Sequence, residues 1–403
     1  MPPLRRPRPP MAALCCAGLQ LACAGPVPDE KGGGDDDSGW DWGLPEGFPT
    51  PPVPEDNPMT VEKVELGRHL FWERRLSING ELSCGGCHEP ALAFTDGRAQ
   101  AEGTTGELHR RSSVSLVNVA YTTGLTWANP LMRDLEQQAL VPLFGTAPVE
   151  LGLEGHELAA FDVLAADPTY QALFAAAWPD DADPFVLDRV TKSIAAFERT
   201  IISGGSPYDR YTYGGELDAM SQEAKDGMAL FFSERLECYH CHGSFNLMDS
   251  VTTAEQAFPE LYFHNTGLYN LDGAGAYPAR DPGLIEHTEL AGDMGRFRAP
   301  TLRNVALTAP YMHDGSIADL DGVLDHYAAA GRTIDSGPDA GVGSESPLRS
   351  SLVRGFTLSP AERAAMLAFL AALTDEATLT DPRFADPHSP DPHRSDRQEE
   401  DPE

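Results

Sequence analysis

The chain has 403 residues and a formal net charge of -33 at pH 7. A chain of this length exceeds what one ordinary hydrophobic core organises, so two domains with terminal extensions are expected. The strongly acidic balance argues against nucleic acid as a partner.

Residues 1–24 are typical of an export signal. Three arginines precede the apolar run from Met11 to Ala24, which is too short to span a bilayer as a mature helix. The piece Leu21-Ala22-Cys23 is similar to the end of a lipoprotein signal, although Gln20 stands where an aliphatic residue is usual. Lipidation at Cys23 and plain secretion are both open, and either gives a periplasmic protein with at most a lipid anchor.

Composition predicts where the folded domains begin and end. Residues 25–56 are rich in Gly, Asp and Pro without an apolar period, which predicts a flexible linker. Residues 376–403 repeat Asp-Pro and Pro-His pieces, which predicts a disordered acidic tail. Between these ends we expect an N-terminal domain over 57–215 and a C-terminal domain over 216–375.

The recognisable elements in between are helical. Asp183-Pro184 predicts the start of a helix that Gly204 ends, and Asp319 to Ala330 predicts another, ended by Gly331. Ser359-Pro360-Ala361-Glu362 is a capping box ahead of a third. Because no convincing alternating strand pattern occurs, an all-α fold with long loops is expected.

A diverged repeat divides the chain into two halves of similar plan. "GRHLFWERRL" from Gly67 matches "GMALFFSERL" from Gly227, and "NVAYTTGLTW" from Asn118 matches "NVALTAPYMH" from Asn304. The halves are therefore expected to be related by internal pseudo-symmetry.

Each half carries one Cys-x-x-Cys-His motif, Cys84-Gly85-Gly86-Cys87-His88 and Cys238-Tyr239-His240-Cys241-His242. Cysteines three apart attach one haem through its vinyl groups, and the histidine that follows ligates the iron. Disulfides would explain four cysteines in an exported chain but not the histidines, and zinc ribbons bring their cysteine pairs closer together. The paired motifs therefore predict two covalent haem c groups, with His88 and His242 as iron ligands.

The opposite faces of the two haems are expected to differ. Tyr327 lies on an apolar stripe of the predicted helix over Asp319 to Ala330, where it could meet the second iron, with His326 as the alternative ligand. Aligning the halves places Pro142, which has no donor atom, opposite Tyr327, and Trp127 opposite His313. The first haem would then keep an open site for peroxide, while the second, with Tyr327 as its distal ligand, handles electrons. The ordinary alternative for both Tyr327 and Trp127 is a core aromatic residue.

These motifs, with "APTLRNVALTAPYMHDGS" from Ala299 to Ser316, resemble the bacterial dihaem cytochrome c peroxidase and MauG superfamily over about Pro58 to Asp375. The resemblance implies two cytochrome c-like haem domains, a peroxidatic N-terminal one and an electron-transfer C-terminal one. It also implies that Trp127 lies between the haems, that Glu150 is the distal acid-base residue, and that Gln138 and Pro142 are its neighbours in the distal pocket. Taken alone, Glu150 would be an ordinary loop acid.

Three departures within the superfamily carry further expectations. Tyr327 falls where the peroxidases have methionine and MauG has tyrosine, which implies that both oxidising equivalents can be stored on the irons. The distal histidine of many peroxidases has no match, since His109 is close but out of register, so the first haem would be open without reductive activation. Family calcium would be held by Thr308 and Pro310, with Ser112 in place of an asparagine.

The phrases "FHNTGLYNLDGAGAYP" and "LTWANPLMRDLEQQALVPLF" are most similar to MbnH, the methanobactin-associated branch of the superfamily. That similarity implies a periplasmic oxidoreductase in which peroxide forms a high-valent dihaem state that oxidises a tryptophan of a partner protein (MbnP-like) to kynurenine. Two alternatives stay open: a cytochrome c peroxidase fed by a small cytochrome or copper protein, and a non-catalytic dihaem electron carrier.

Overall fold

A computed structural model describes residues 39–389 of the chain. Within this range the regular structure is mainly helical, as expected, and the named β structure is one antiparallel pair of two-residue strands, β1 (Thr333–Ile334) and β2 (Gly341–Val342). No helix of the described part is long and apolar enough to cross a membrane. The predicted export signal, with Cys23, lies outside the described residues.

The first half holds eight α-helices within the described range: α1 (Val61–Phe71), α2 (Cys84–Cys87), α3 (Leu135–Gln138), α4 (Leu140–Phe144), α5 (Glu157–Ala165), α6 (Pro168–Ala177), α7 (Leu187–Arg199) and α8 (Pro207–Thr212). The described part of the second half continues with α9 (Gln222–Phe231), α10 (Tyr239–His242), α11 (Ile285–Thr288), α12 (Leu320–Ala328), α13 (Pro360–Ala371) and α14 (Glu376–Leu379).

Helix ends follow the local capping chemistry. The capping box at Ser359 and Glu362 opens α13 as predicted, and the Asp319 side chain caps α12 through the Gly322 N–H. Helix α7 starts later than the predicted Asp183-Pro184, because Val186 is still extended, at φ -126° and ψ 155°. It also ends at Arg199, before Gly204, since the Ile201 carbonyl accepts a hydrogen bond from Asn118 instead of continuing the helix.

The repeated glycines explain how each half is built. Helix α1 packs on α7, and a Cβ at Gly67 would lie 1.9 Å from the Ser193 carbonyl oxygen. Helix α9 packs on α13, and a Cβ at Gly227 would lie 1.9 Å from the Ala365 carbonyl oxygen. Only glycine permits this backbone approach, so the same residue sets the same helix contact in both halves.

The repeated asparagines are also alike. Asn118 and Asn304 both adopt left-handed backbone, at φ 56° and 58°, and each precedes a single 3-10 turn. The Asn118 N–H donates to Ile201, and the Asn304 N–H donates to Leu373, in the segments that follow α7 and α13. Both side chains meet at Ser203, where Asn118 bonds the backbone and Asn304 bonds the hydroxyl.

Apolar side chains form separate clusters in the two halves. Helices α1, α6 and α7 enclose one cluster around Leu66, Phe174 and Ile194. Helices α9, α12 and α13 enclose another around Leu324 and Phe369.

The end of the predicted linker is not a flexible tether. Phe48 is buried, with its ring centroid 5.2 Å from that of Phe245 and 6.1 Å from that of Tyr121. The Tyr121 hydroxyl donates to the Pro49 carbonyl at 2.7 Å. Residues 45–57 therefore form a strap that contacts both halves. Composition predicts a linker here because Phe48 is the one aromatic residue by which this strap is anchored.

The start of the predicted tail is likewise ordered, up to residue 389. Phe384 is 1% exposed and packs against Phe94 and Phe197 of the first half, and its carbonyl accepts the Trp72 indole N–H at 3.1 Å. The prediction of disorder is wrong for 376–389, because contacts some 300 residues away fix this segment. Residues 390–403 lie outside the described part.

Candidate dihaem site

Each Cys-x-x-Cys-His motif forms one helical turn followed by its histidine. The His88 N–H donates to the Cys84 carbonyl at 3.0 Å, and the His242 N–H donates to the Cys238 carbonyl at 3.1 Å. None of the four cysteines forms a disulfide bond, so the disulfide interpretation fails. A single turn places both thiols on one side of the backbone, as attachment to one porphyrin requires.

The two histidines are held in the same way. Nδ1 of His88 lies 2.9 Å from the Phe94 carbonyl oxygen, and Nδ1 of His242 lies 2.9 Å from that of Leu247. In both loops the residue that supplies the carbonyl has positive φ, 59° at Phe94 and 50° at Leu247. A carbonyl that fixes Nδ1 as the donor leaves Nε2 as the metal-binding atom, which is how haem-ligating histidines are oriented.

A cavity of about 330 Å³ adjoins the first motif. Cys87 and His88 line it together with the residues expected opposite them, namely Trp127, Gln138 and Glu150. The structure thus brings these predicted site residues around one space. Pro142 is half-buried inside α4 and is not among the lining residues, whereas its neighbours Val141 and Pro148 are.

Glu150 is positioned by a backbone contact. Its carbonyl accepts the Thr104 N–H at 2.7 Å, which ties the segment after α4 to the loop on the other wall of the cavity. Burial raises the pKa of the Glu150 carboxyl. A carboxyl with a raised pKa in the cavity that His88 also lines is suited to taking up and returning protons.

Trp127 connects the cavity with the second half of the chain. Its indole N–H donates to the Ser112 carbonyl at 2.9 Å, and its own carbonyl accepts the Arg298 N–H at 2.8 Å. The ring packs against a cluster of the second half that includes Phe297 and Tyr277. These contacts place Trp127 between the cavity of the first half and the apolar cluster of the second half.

The phenol of Tyr327 lies close enough to Cys238 and Cys241 of the second motif for these cysteines to affect its pKa. Burial, followed by the neighbouring Cys241 and Cys238, raises the pKa of its phenol. Next to it, His326 is 4% exposed, and neither ring nitrogen has a close hydrogen-bond partner. Burial lowers the pKa of His326 to about 4. Both residues therefore stay candidates for the ligand, and Tyr327 is the one that lies near the two cysteines of the second motif.

Sequence reasoning missed a polar group beside the second motif. Nε2 of His264 lies 2.5 Å from Oδ2 of Asp249, and both lie within 4.8 Å of the Cys241 sulfur. Arg298, fully buried nearby, donates to the carbonyls of Thr126 and Ala299. His264 lies within the segment "FHNTGLYN", which the sequence comparison already singled out. Its contact with Asp249 could not be predicted, because 15 positions separate the two residues.

His109 is the second residue that the sequence undervalued. It lines the same cavity as Glu150, and its Nε2 lies 3.7 Å from the Glu150 Oε1. Burial, and then the charges of Arg111 and Arg110, lower the pKa of His109. Only the fold reveals this, because 41 positions separate the two residues in the chain.

The predicted calcium residues lie close in the fold. The Ser112 hydroxyl donates to the Met312 carbonyl at 3.2 Å, and its N–H donates to the His313 carbonyl at 2.9 Å. Ser112 is therefore bonded to the segment that directly follows Thr308 and Pro310.

The residues present fit two covalently attached haems. Each motif offers two thiols and an oriented imidazole, and the cavity beside the first motif gives room on the side lined by Glu150 and Gln138. When bound, the haems supply one-electron redox chemistry and an iron site for peroxide. The protein contributes attachment, distal polar groups and burial.

Comparisons with known proteins agree with this geometry. Residues 61–217 match the family described as Di-haem cytochrome c peroxidase. The chain is 33% identical to cytochrome-c peroxidase IdrP1 of Denitromonas iodatirespirans over 83% of this chain and 86% of the relative. It is also 33% identical to the methylamine utilization protein MauG of Methylorubrum extorquens, over 82% and 84%.

One solved structure is closer in sequence. A crystal structure of a MauG-like protein associated with microbial copper homeostasis superposes with a TM-score of 0.85 at 47% identity. The match covers 87% of this chain and 100% of that one.

Proposed function

Because the chain belongs to the di-haem cytochrome c peroxidase and MauG family, we propose that it is a periplasmic enzyme that uses hydrogen peroxide to oxidise a tryptophan of a partner protein to kynurenine. The chain is an oxidoreductase of this family, so the non-catalytic carrier alternative loses its support. What we propose beyond family membership is the substrate, a tryptophan of a partner protein.

The observation that carries the proposal is the tyrosine beside the second motif. Tyr327 is half-buried and lies near Cys238 and Cys241, at the position where resemblance places methionine in the peroxidases and tyrosine in MauG. An anionic oxygen ligand stabilises oxidised iron better than a thioether does, because it supplies negative charge. As a ligand, Tyr327 would therefore favour storage of an oxidising equivalent at the second haem over the passage of electrons from a donor.

The residues of the first half divide the remaining work. Glu150 and Gln138 face the peroxide space, where the carboxyl handles protons and the amide offers a hydrogen bond. Trp127 couples the two haem regions from its place against the second-half cluster. When bound, the haems would supply the oxidising power that removes electrons from a tryptophan on the partner surface.

The 47%-identical structure supports the choice of substrate. That protein is described as MauG-like and as associated with microbial copper homeostasis. The sequence phrases shared with the MbnH branch lead in the same direction, toward an MbnP-like partner. An MbnP-like gene beside this one would supply the protein for the test.

The test mixes the purified ferric holoenzyme with peroxide, first alone and then with the partner protein. We expect a long-lived spectral change without any reductant, its decay on addition of the partner, and kynurenine at one partner tryptophan by mass spectrometry. A partner variant with that tryptophan replaced by phenylalanine is the control. Persistence of the oxidised spectrum with the intact partner would reject the proposed substrate.

The second candidate is a cytochrome c peroxidase, favoured by the 33% identity to a relative of that name. It predicts rapid peroxide turnover only when a reduced small cytochrome or copper protein is present. Tyr327→Met provides an internal comparison, since it should shift the enzyme toward this behaviour.

Two finer features belong to the same proposal. A calcium ion is held by the Thr308 and Pro310 carbonyls with Ser112, which joins the two halves; metal analysis before and after chelation tests it. A lipid on Cys23 anchors the mature protein, and mass analysis of the membrane fraction tests this.

A further inference from the structure

The loop that carries His109 is fastened to the second half by two bidentate ion pairs. Arg111 donates to both oxygens of Asp281, at 2.7 Å each, and both side chains are at least nine-tenths buried. Arg110 donates to both oxygens of Glu286, at 2.5 and 2.6 Å. Bidentate pairs restrict orientation as well as distance, so the loop has little freedom to shift.

This loop fixes the Nδ1 side of the His109 ring and leaves Nε2 directed into the cavity. Nδ1 accepts the backbone N–H of Arg111 at 3.1 Å, so in the neutral ring the proton resides on Nε2. Nε2 faces Oε1 of Glu150 at 3.7 Å, a separation that one water or a peroxide oxygen can bridge. The imidazole is thus an N–H donor aimed at the carboxyl.

We propose that His109 is a fixed hydrogen-bond donor of the peroxide pocket, which holds Glu150 as a proton-accepting carboxylate and does not bind the iron. An imidazole whose Nδ1 is occupied and whose Nε2 carries a proton has no lone pair for a metal. The arrangement therefore explains how a histidine can line an open haem pocket without closing it. This inference rests on the proposed peroxide site at the first haem.

In this arrangement Glu150 carries one proton between the two oxygens of peroxide. The Glu150 carboxylate takes one proton from the inner oxygen of H₂O₂ and returns it to the outer oxygen. Cleavage of the O–O bond would release the outer oxygen as water, and the haem, when bound, would retain the inner oxygen and supply the two electrons consumed. His109 donates a hydrogen bond throughout and neither gains nor loses a proton.

Hydrogen cyanide is the probe, because it binds ferric haem as the anion and must give its proton to a base in the pocket. Carbon monoxide on the ferrous protein is the control, since it needs no proton transfer. Association rates of both ligands are followed optically against pH for the holoenzyme, His109→Ala and His109→Gln. The glutamine amide can donate in place of Nε2–H. Charged or titratable groups around His109 and the cavity, which stay the same in all three proteins, are Glu102, Arg110, Arg111, Glu150, Asp281, Glu286 and His287.

For His109→Ala we expect the acid limb of the cyanide rate to move up by about one pH unit, because Glu150 loses a stabilising donor. His109→Gln should restore most of the wild-type profile, and carbon monoxide rates should match in all three. An unmoved limb in His109→Ala would refute the donor role. Conversion of a six-coordinate first haem to an open one in that variant would instead make His109 a ligand. Carbon monoxide that binds none of the three proteins would reject the open site of the proposed function itself.

Discussion

Gly227 and Ala365 touch through their backbones, where α9 crosses α13, with only 1.9 Å between the Ala365 carbonyl oxygen and the place a Cβ on residue 227 would occupy. Gly227→Ala must force the two helices apart. Overpacking of this kind costs about 1–3 kcal/mol, so the holoprotein should unfold at a lower temperature. Gly292→Ala, where a Cβ meets nothing within 4 Å, is the matched control. Equal melting temperatures for both variants would contradict the close helix contact.

Glu150→Gln removes the carboxylate from the cavity beside the first motif while keeping the shape of the side chain. The spectral change that follows peroxide addition should slow by roughly 10²-fold, since the amide cannot accept the peroxide proton. Stopped-flow absorbance measures this, with the exposed Glu154→Gln as control. Unaltered kinetics in Glu150→Gln would remove this residue from the reaction.

Tyr327→Phe tests the ligand of the second haem. The ring stays but the oxygen is lost, so the low-spin signal of that haem should disappear from the electron paramagnetic resonance spectrum. His326→Gln should leave the signal unchanged. The reverse result would assign the ligand to His326, whose ring nitrogens are also buried without a close partner.

His313 makes stability depend on pH. Burial lowers its pKa to about 4 from the ordinary 6.5, so the folded chain keeps the ring neutral while the unfolded chain protonates it below pH 6.5. This contribution is present above pH 6.5 and is lost as the pH falls toward 4, by on the order of 2 kcal/mol at pH 5. In His313→Gln the difference in unfolding free energy between pH 7 and pH 5 should shrink by that amount. Denaturant titrations at pH 7 and pH 5 measure this difference. The variant His156→Gln, at an exposed position, is the control and should keep the wild-type difference.

Local chemistry made parts of this molecule predictable. The capping box at Ser359 and the cap at Asp319 act within four residues, so the helices they open follow directly from sequence. The repeat could also be recognised from sequence, because one close helix–helix contact in each half requires a glycine, at Gly67 and at Gly227.

Contacts between distant segments were not predictable. Phe384 looks like one apolar residue in an acidic tail until Phe94 and Phe197 surround it. In the sequence, His109 is out of register with the distal histidine of the peroxidases. Only the structure shows that its Nδ1 accepts the Arg111 N–H and that its Nε2 faces Glu150. Both depend on pairings between segments that no single window of sequence displays.

The return of residues 376–389 to the first half has a consequence for biogenesis. The Trp72 indole and the aromatic cluster around it are completed by Phe384, which is synthesised after both motif-bearing halves. The core of the first half therefore closes only after the second half has been synthesised. Truncation at residue 375 would leave a hole in the core of the first half, where Phe384 packs against Phe94 and Phe197, whereas a purification tag fused after residue 389 leaves these contacts intact.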